Sequence, residues 1–134
     1  MTQQKPRILI IDDTPIMLRL LNTILRDDYD MMFAKSGGKG IESAKKDTPD
    51  MILLDIMMPD MSGFDVLTAL KSDETTESIP IILMTASDSI DDEEKGYDLG
   101  AVDYIRKPFV NGIVKRRVKF NMDFIAMKRA LKEV

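Results

Sequence analysis

Three short groups of ionic residues in this chain could do chemistry, and each stands where an apolar run breaks off. Asp12 and Asp13 follow Ile8-Leu9-Ile10-Ile11, Asp55 follows Met51-Ile52-Leu53-Leu54, and Lys107-Pro108 comes just after Tyr104-Ile105. Short apolar runs of this kind mark strands buried on both faces of a parallel sheet. If the runs lie side by side, three carboxylates and one ammonium converge at one end of that sheet. Carboxylates so close raise one another's pKa and repel, so the cluster makes sense around a hard divalent cation, which inverts the local electrostatics. The chemistry implied is that of a metal and phosphate site.

Composition narrows the alternatives. With no histidine and no cysteine, the chain has no Ser-His-Asp chemistry, no imidazole acid–base catalysis, no disulfide and no Cys-based zinc site. Carboxylates, Lys, Thr and backbone amides must carry the work. The 134 residues, 44% of them hydrophobic, suit one domain with one core. Thr2-Gln3-Gln4-Lys5-Pro6 offers no apolar leader, and no stretch reaches the ~18 apolar residues of a membrane span. The expectation is a soluble, cytoplasmic protein with no membrane contact.

The elements that must position these groups follow from periodicity. Strands are expected at about 7–11, 31–34, 51–55, 81–85 and 103–105, alternating with helices at about 15–26, 37–46, 63–72, 89–99 and 110–134. Thr14 and Pro15 read as the cap and first residue of the first helix, whose apolar face is expected to carry Ile16, Leu20 and Ile24, with Met17, Leu21 and Leu25 beside it. Thr48-Pro49 should end the second helix and Gly100 the fourth, which begins with the acidic block Asp91-Asp92-Glu93-Glu94. Connection rules for repeated βα units give a doubly wound, flavodoxin-like α/β fold of five parallel strands in the order 2-1-3-4-5, with ligands beyond the strand carboxyl ends. Asp12-Asp13, Asp55, Thr85 and Lys107 all fall there.

These motifs carry a resemblance. Asp12-Asp13, the run from Asp55 through Pro59 to Gly63, Thr85-Ala86 and Tyr104-Ile105-Arg106-Lys107-Pro108-Phe109 together resemble the receiver domain of two-component response regulators. The resemblance spans about residues 6–122, and its strength lies in all four motifs occurring in order. It implies that Asp55 takes a phosphoryl group from a histidine kinase or phosphotransfer protein. It makes Asp13 and Asp55 direct Mg²⁺ ligands, Asp12 a ligand through water and the Met57 carbonyl a further one. It places Lys107, the Thr85 hydroxyl and the Ala86 and Met57 amides around the phosphoryl oxygens. It implies a cis peptide before Pro108, and it makes Thr85 and Tyr104 a switch pair acting on the surface of the fourth helix, fifth strand and fifth helix. Such a receiver assists its own phosphorylation and is a switch rather than an enzyme acting on other molecules.

Three further expectations concern this chain's own residues. Met57 and Ser87 offer no carboxylate or amide to orient an attacking water, so loss of the phosphoryl group should be slow. Residues 1–103 carry 10 Lys and Arg against 21 Asp and Glu, whereas 104–134 carry 9 against 2. Asp91 to Glu94 and Lys115, Arg116, Arg117 and Lys119 could therefore pair across a two-fold axis in a homodimer. Phe120, Phe124, Met127 and Leu131 recur at spacings of 4, 3 and 4, the rhythm of a helix seam. Because these apolar residues interrupt the basic tail, a partner helix is favoured over direct nucleic-acid binding. The receiver is expected over 1–122, with 123–134 a linker or dimerisation segment that favours a C-terminal effector domain over a stand-alone protein.

Two alternatives share part of this chemistry. A Mg²⁺-dependent aspartyl phosphatase of the haloacid-dehalogenase type wants an Asp-x-Asp nucleophile near the first strand and a cap domain, and Asp12-Asp13-Thr14 lacks that spacing. A flavin-binding electron carrier of the same fold wants a Ser/Thr/Gly-rich phosphate loop after the first strand, which is missing.

Overall fold

The strands alternate side chains so completely that each face of the sheet collects its own core. In the computed structural model, which describes residues 4–86 and 89–132, the order is β1 (Arg7–Ile11), α1 (Pro15–Leu25), β2 (Asp30–Ala34), α2 (Gly37–Asp47) and β3 (Met51–Asp55). There follow α3 (Gly63–Lys71), β4 (Ile81–Thr85), α4 (Ile90–Asp98), β5 (Asp103–Arg106) and α5 (Asn111–Lys132). The five strands are parallel and run β2-β1-β3-β4-β5, the doubly wound order expected from the sequence. Among the described residues, no helix is long and apolar enough to cross a membrane.

Ile8, Ile10, Met51, Leu53, Ile82 and Met84 point to one face, where α1 and α5 cover them. Leu9, Ile11, Ile52, Leu54, Ile81 and Leu83 point to the other, under α2 and α3. This is the period of two that a pleated strand imposes. Both faces are apolar because both are covered, so the strands read as unbroken hydrophobic runs.

Helix α1 differs from its expected phase. It buries Leu18, Leu21, Ile24 and Leu25, whereas Leu20 is half-buried and Ile16 is 67% exposed. At 3.6 residues per turn, Ile16 lies roughly 140° around the helix from Leu21 and faces away from the sheet. Helix α2 buries Gly37, Gly40 and Ala44, and a side chain at Gly40 would run into Ile11. Thr48 caps α2 in the left-handed region (φ 38°) ahead of Pro49, and Gly100 (φ 112°) ends the turn after α4, both where the sequence marked a stop. Helix α4 packs lightly, as its polar composition predicts, with Gly96 its sole buried residue.

Helix α5 spans 22 residues, ~33 Å at 1.5 Å per residue. Val114, Val118 and Asn121 are buried. Phe120, Phe124, Met127 and Leu131, the expected seam, are 48–69% exposed along the outer face, and the rings of Phe120 and Phe124 stack with centroids 6.4 Å apart.

Candidate functional site

Sheet register brings the ionic groups together. Ile11 lies opposite Leu54 and Asp55 opposite Met84, so Asp12 leaves β1 beside the end of β3, and Thr85 ends β4 next to it. Backbone bonds extend these pairings past the strands: Ile56 N–H donates to the Met84 carbonyl (3.1 Å) and Lys107 N–H to the Thr85 carbonyl (2.8 Å). The parallel topology therefore delivers Asp12, Asp55, Thr85 and Lys107 to one edge from four strands.

Asp12, Asp13 and Asp55 each place a carboxylate oxygen within 4.8 Å of the other two. Asp12 is fully buried and Asp55 is 2% exposed; Asp13 is the most open to solvent. The Lys107 ammonium lies 3.4 Å from Asp12 Oδ2 and 3.3 Å from Asp55 Oδ1, and the Lys107–Pro108 peptide is cis. Asp12 Oδ1 also accepts from Thr14 N–H (2.9 Å), which fixes the turn into α1. Thr14 is the N-cap residue, but its own side chain makes no capping hydrogen bond.

Burial pushes the Asp55 carboxyl above its ordinary range, Asp12 pushes the same way, and Lys107 together with the Met57 amide opposes them. Met57 N–H donates to Asp55 Oδ1 at 3.2 Å, while the Met57 side chain is 72% exposed. Three crowded carboxylates, one of which resists ionising, form an all-oxygen donor set. That set fits a hard cation such as Mg²⁺ better than Zn²⁺.

Gly63, which ends the run that begins at Asp55, has a steric role there. A Cβ there would strike the Asp55 carbonyl oxygen and stand 2.6 Å from Ile56 Cα. Its N–H donates to the Ile56 carbonyl at 2.9 Å, closing the loop that follows Asp55. The start of α3 can pack against the strand end that presents the carboxylate only because residue 63 lacks a side chain.

Thr85 is buried at 2% exposure, and Ala86 beyond it is exposed. The Tyr104 ring is turned inward at 4% exposure, its hydroxyl donating to the Asp92 carbonyl of α4 at 2.5 Å. Burial, then the nearby Glu93, pushes the phenol up to about 12. Ser87, expected to line the water path, lies outside the described residues.

The sequence matches the family described as "Response regulator receiver domain" over residues 8–119. This chain belongs to that family. PleD, a response regulator of Caulobacter vibrioides, is 41% identical over 114 residues, covering 84% of this chain and 25% of PleD. PilH of Pseudomonas aeruginosa is 38% identical over 103 residues, covering 76% and 85%. A CheY-like receiver from Methanospirillum hungatei superposes with a TM-score of 0.85 at 27% identity, covering 94% of this chain and 99% of that one. The receiver domain of a sensor histidine kinase from Pseudomonas aeruginosa, solved with a magnesium ion coordinated in its active site cleft, gives 0.81 at 26% identity, covering 89% and 98%. The receiver spans between a quarter and under half of several curated relatives, among them a probable cyclic di-GMP phosphodiesterase of Vibrio cholerae. Receiver domains bind Mg²⁺ at an acidic pocket, and this receiver carries an acidic cluster in Asp12, Asp13 and Asp55.

Two of the four α5 cations named for a two-fold pairing have partners within the chain. Arg117 is engaged within the chain, donating to Asp103 Oδ1 at 2.8 Å, while the buried Asn121 donates to Asp103 Oδ2 at 2.9 Å. Lys119 pairs with Asp123 at 3.1 Å, and Lys115 and Lys119 border a cleft with Arg7 and Tyr29 beside the start of β1. Arg116 borders a different cleft with Phe120 and Val102. The Asp103–Arg117–Asn121 cluster went unread because a helix surface in sequence does not say which acid will face it.

Proposed function

We propose that this receiver accepts a phosphoryl group on Asp55 from a histidine kinase or phosphotransfer protein, and that it signals through the surface of α4, β5 and α5. The observation that carries the reading is the single carboxylate, 2% exposed and held above its ordinary pKa, flanked by two more carboxylates and one ammonium. Asp55 Oδ1 is occupied by the Met57 amide and by Lys107, which leaves Oδ2 to form the new bond to phosphorus. The phosphorus–nitrogen bond of the donor phosphohistidine breaks in the same displacement, and its electron pair returns to the imidazole.

Asp12, Asp13, Asp55 and the Met57 carbonyl would hold Mg²⁺, which neutralises negative charge at the site. Lys107, the Thr85 hydroxyl and the Ala86 and Met57 amides would bind the phosphoryl oxygens. The Thr85 hydroxyl moves toward the new phosphate, and the Tyr104 ring turns into the space it leaves, a charge event read out at a distant surface. Incubation with acetyl phosphate and Mg²⁺ should add one phosphoryl group by intact mass. Hydroxylamine should remove it, as an acyl phosphate requires. A phosphoryl group stable to hydroxylamine would rule out a carboxylate acceptor.

Once formed, the acyl phosphate should hydrolyse slowly. The exposed Met57 thioether cannot hold an attacking water by a strong hydrogen bond, and Met57→Asn should speed phosphate release about tenfold, a fraction of what a full general base supplies. Release within seconds from the unaltered protein at ambient temperature would contradict this.

Phosphorylation is further proposed to favour a homodimer through α4, β5 and α5, with residues 123–134 as linker or dimerisation segment ahead of an effector domain. The apolar stripe of Phe120, Phe124, Met127 and Leu131 supports the interface more than charge does, since Arg117 and Lys119 already have partners within the chain. Sedimentation with beryllofluoride and Mg²⁺ should show a dimer that Phe124→Glu returns to monomer. A monomer at high concentration with and without the mimic would remove the proposal.

A further inference from the structure

Glycine within a helix costs ~1 kcal/mol relative to alanine, and α4 carries one in its last turn. Gly96 is the only residue of that helix the fold buries. Its neighbours across the interface are the Tyr104 ring and Leu83. A methyl group there would collide with the Tyr104 hydroxyl oxygen, stand 2.9 Å from Cζ of the same ring, and lie 2.5 Å from Leu83 Cδ1. Carbon atoms pack at about 3.5–4.0 Å, so no side chain fits at 96 while the ring points inward.

The same oxygen ties the helix to the sheet. Tyr104 donates to the Asp92 carbonyl at 2.5 Å, and the Gly96 N–H faces that oxygen from one turn further along. The phenol thus sits across one rung of α4, between the carbonyl at 92 and the amide at 96. Other ties of α4 lie nearer the surface: Glu93 meets Arg106 at 3.5 Å, the Lys95 ammonium stands 4.6 Å over the Phe64 ring, and the half-exposed Tyr97 meets Tyr104 edge-on with centroids 5.3 Å apart.

We propose that Gly96 is a positioning residue for Tyr104: its missing side chain is the socket that holds the ring inward and docks α4 on the sheet, so that filling it turns the ring outward, away from the position the phosphorylated state is proposed to use, and loosens α4. Leu83 does not block this outcome, because its terminal methyl can move into the room the ring vacates. The link to signalling rests on the switch role proposed for Tyr104, whereas the socket itself does not.

A double-mutant cycle separates the two. Gly96→Ala should lower the melting temperature by several degrees and speed amide exchange over residues 90–98 by tenfold or more. In a Tyr104→Ala background the same change should leave the melting temperature unchanged or raise it, since alanine is the better helix former. Tyr104→Phe, which removes the colliding oxygen, should give an intermediate result. If Gly96→Ala alone fails to fold, folding of the double variant is the supporting result, and failure of both overturns the socket. Equal losses with and without the ring would also overturn it. Beryllofluoride with Mg²⁺ provides the separate arm: Gly96→Ala should bind it more weakly than the unaltered protein, because a filled socket disfavours the inward ring that the phosphorylated state is proposed to use. Full coupling in the cycle with unchanged beryllofluoride affinity would leave the socket standing and remove the switch role of Tyr104.

Discussion

Asp55→Asn should abolish phosphoryl uptake and, in the same molecule, raise the stability of the metal-free fold at neutral pH. The first effect follows because the amide oxygen is no nucleophile and no second carboxylate shares its position: Asp12 is fully buried and already engaged by Thr14 N–H and Lys107. The second follows from linkage. Burial and then Asp12 raise the folded-state pKa of Asp55 above its ordinary value of 3.8, so the fold disfavours the ionised form. Below the ordinary value the carboxyl is neutral in both states and adds no penalty. As pH rises through the raised value the unfolded chain ionises more readily, and stability declines. Asparagine has the same shape without the charge, so the gain should be greatest at neutral pH and vanish in acid. Urea melts of both proteins across that range, paired with intact mass after acetyl phosphate and Mg²⁺, check both effects. A phosphorylated Asn variant, or one destabilised equally at every pH, would contradict the site. Adding Mg²⁺ should narrow the stability gap, because only the unaltered protein keeps all three carboxylates.

The site was legible in sequence because its residues sit at strand ends, and strand ends are where apolar runs stop. Asp12, Asp55 and Lys107 each announce a boundary, and the parallel order that joins them follows from alternating strand and helix periods. What stayed hidden depends on contacts between elements. Ile16 belongs to an apolar helix pattern, but only the sheet decides that Leu18, Leu21, Ile24 and Leu25 are the residues turned inward. Gly96 looks like an unfavourable residue in a polar helix until the Tyr104 ring is placed against it. Arg117 and Lys119 read as free cations on an outer face, yet Asp103 and Asp123 claim them. Periodicity fixes which residues share a face; the neighbouring element fixes which face is used.

Lys107→Ala should separate two properties that usually fall together, slowing phosphoryl uptake while sparing or strengthening the response to Mg²⁺. The ammonium lies 3.4 Å from Asp12 Oδ2 and 3.3 Å from Asp55 Oδ1 at 19% side-chain exposure, close enough to offset part of the mutual repulsion of the acidic cluster. Its removal leaves two buried carboxylates without that cation. Breaking a buried pair on one side costs more than the pair itself contributes, so the metal-free protein should melt lower. A divalent cation then meets the same three carboxylates with no ammonium competing for their oxygens, and the rise in melting temperature on adding Mg²⁺ should exceed that of the unaltered protein. The transfer step gains nothing from this. Lys107 is proposed to bind a phosphoryl oxygen as charge develops, and losing one preorganised donor of that kind slows a reaction by about 10²–10³. Melting curves with and without Mg²⁺, together with initial rates of uptake from acetyl phosphate, give all three readings from one variant. An unchanged rate would show that Lys107 balances the carboxylates only, and its place among the phosphoryl-binding groups would be lost.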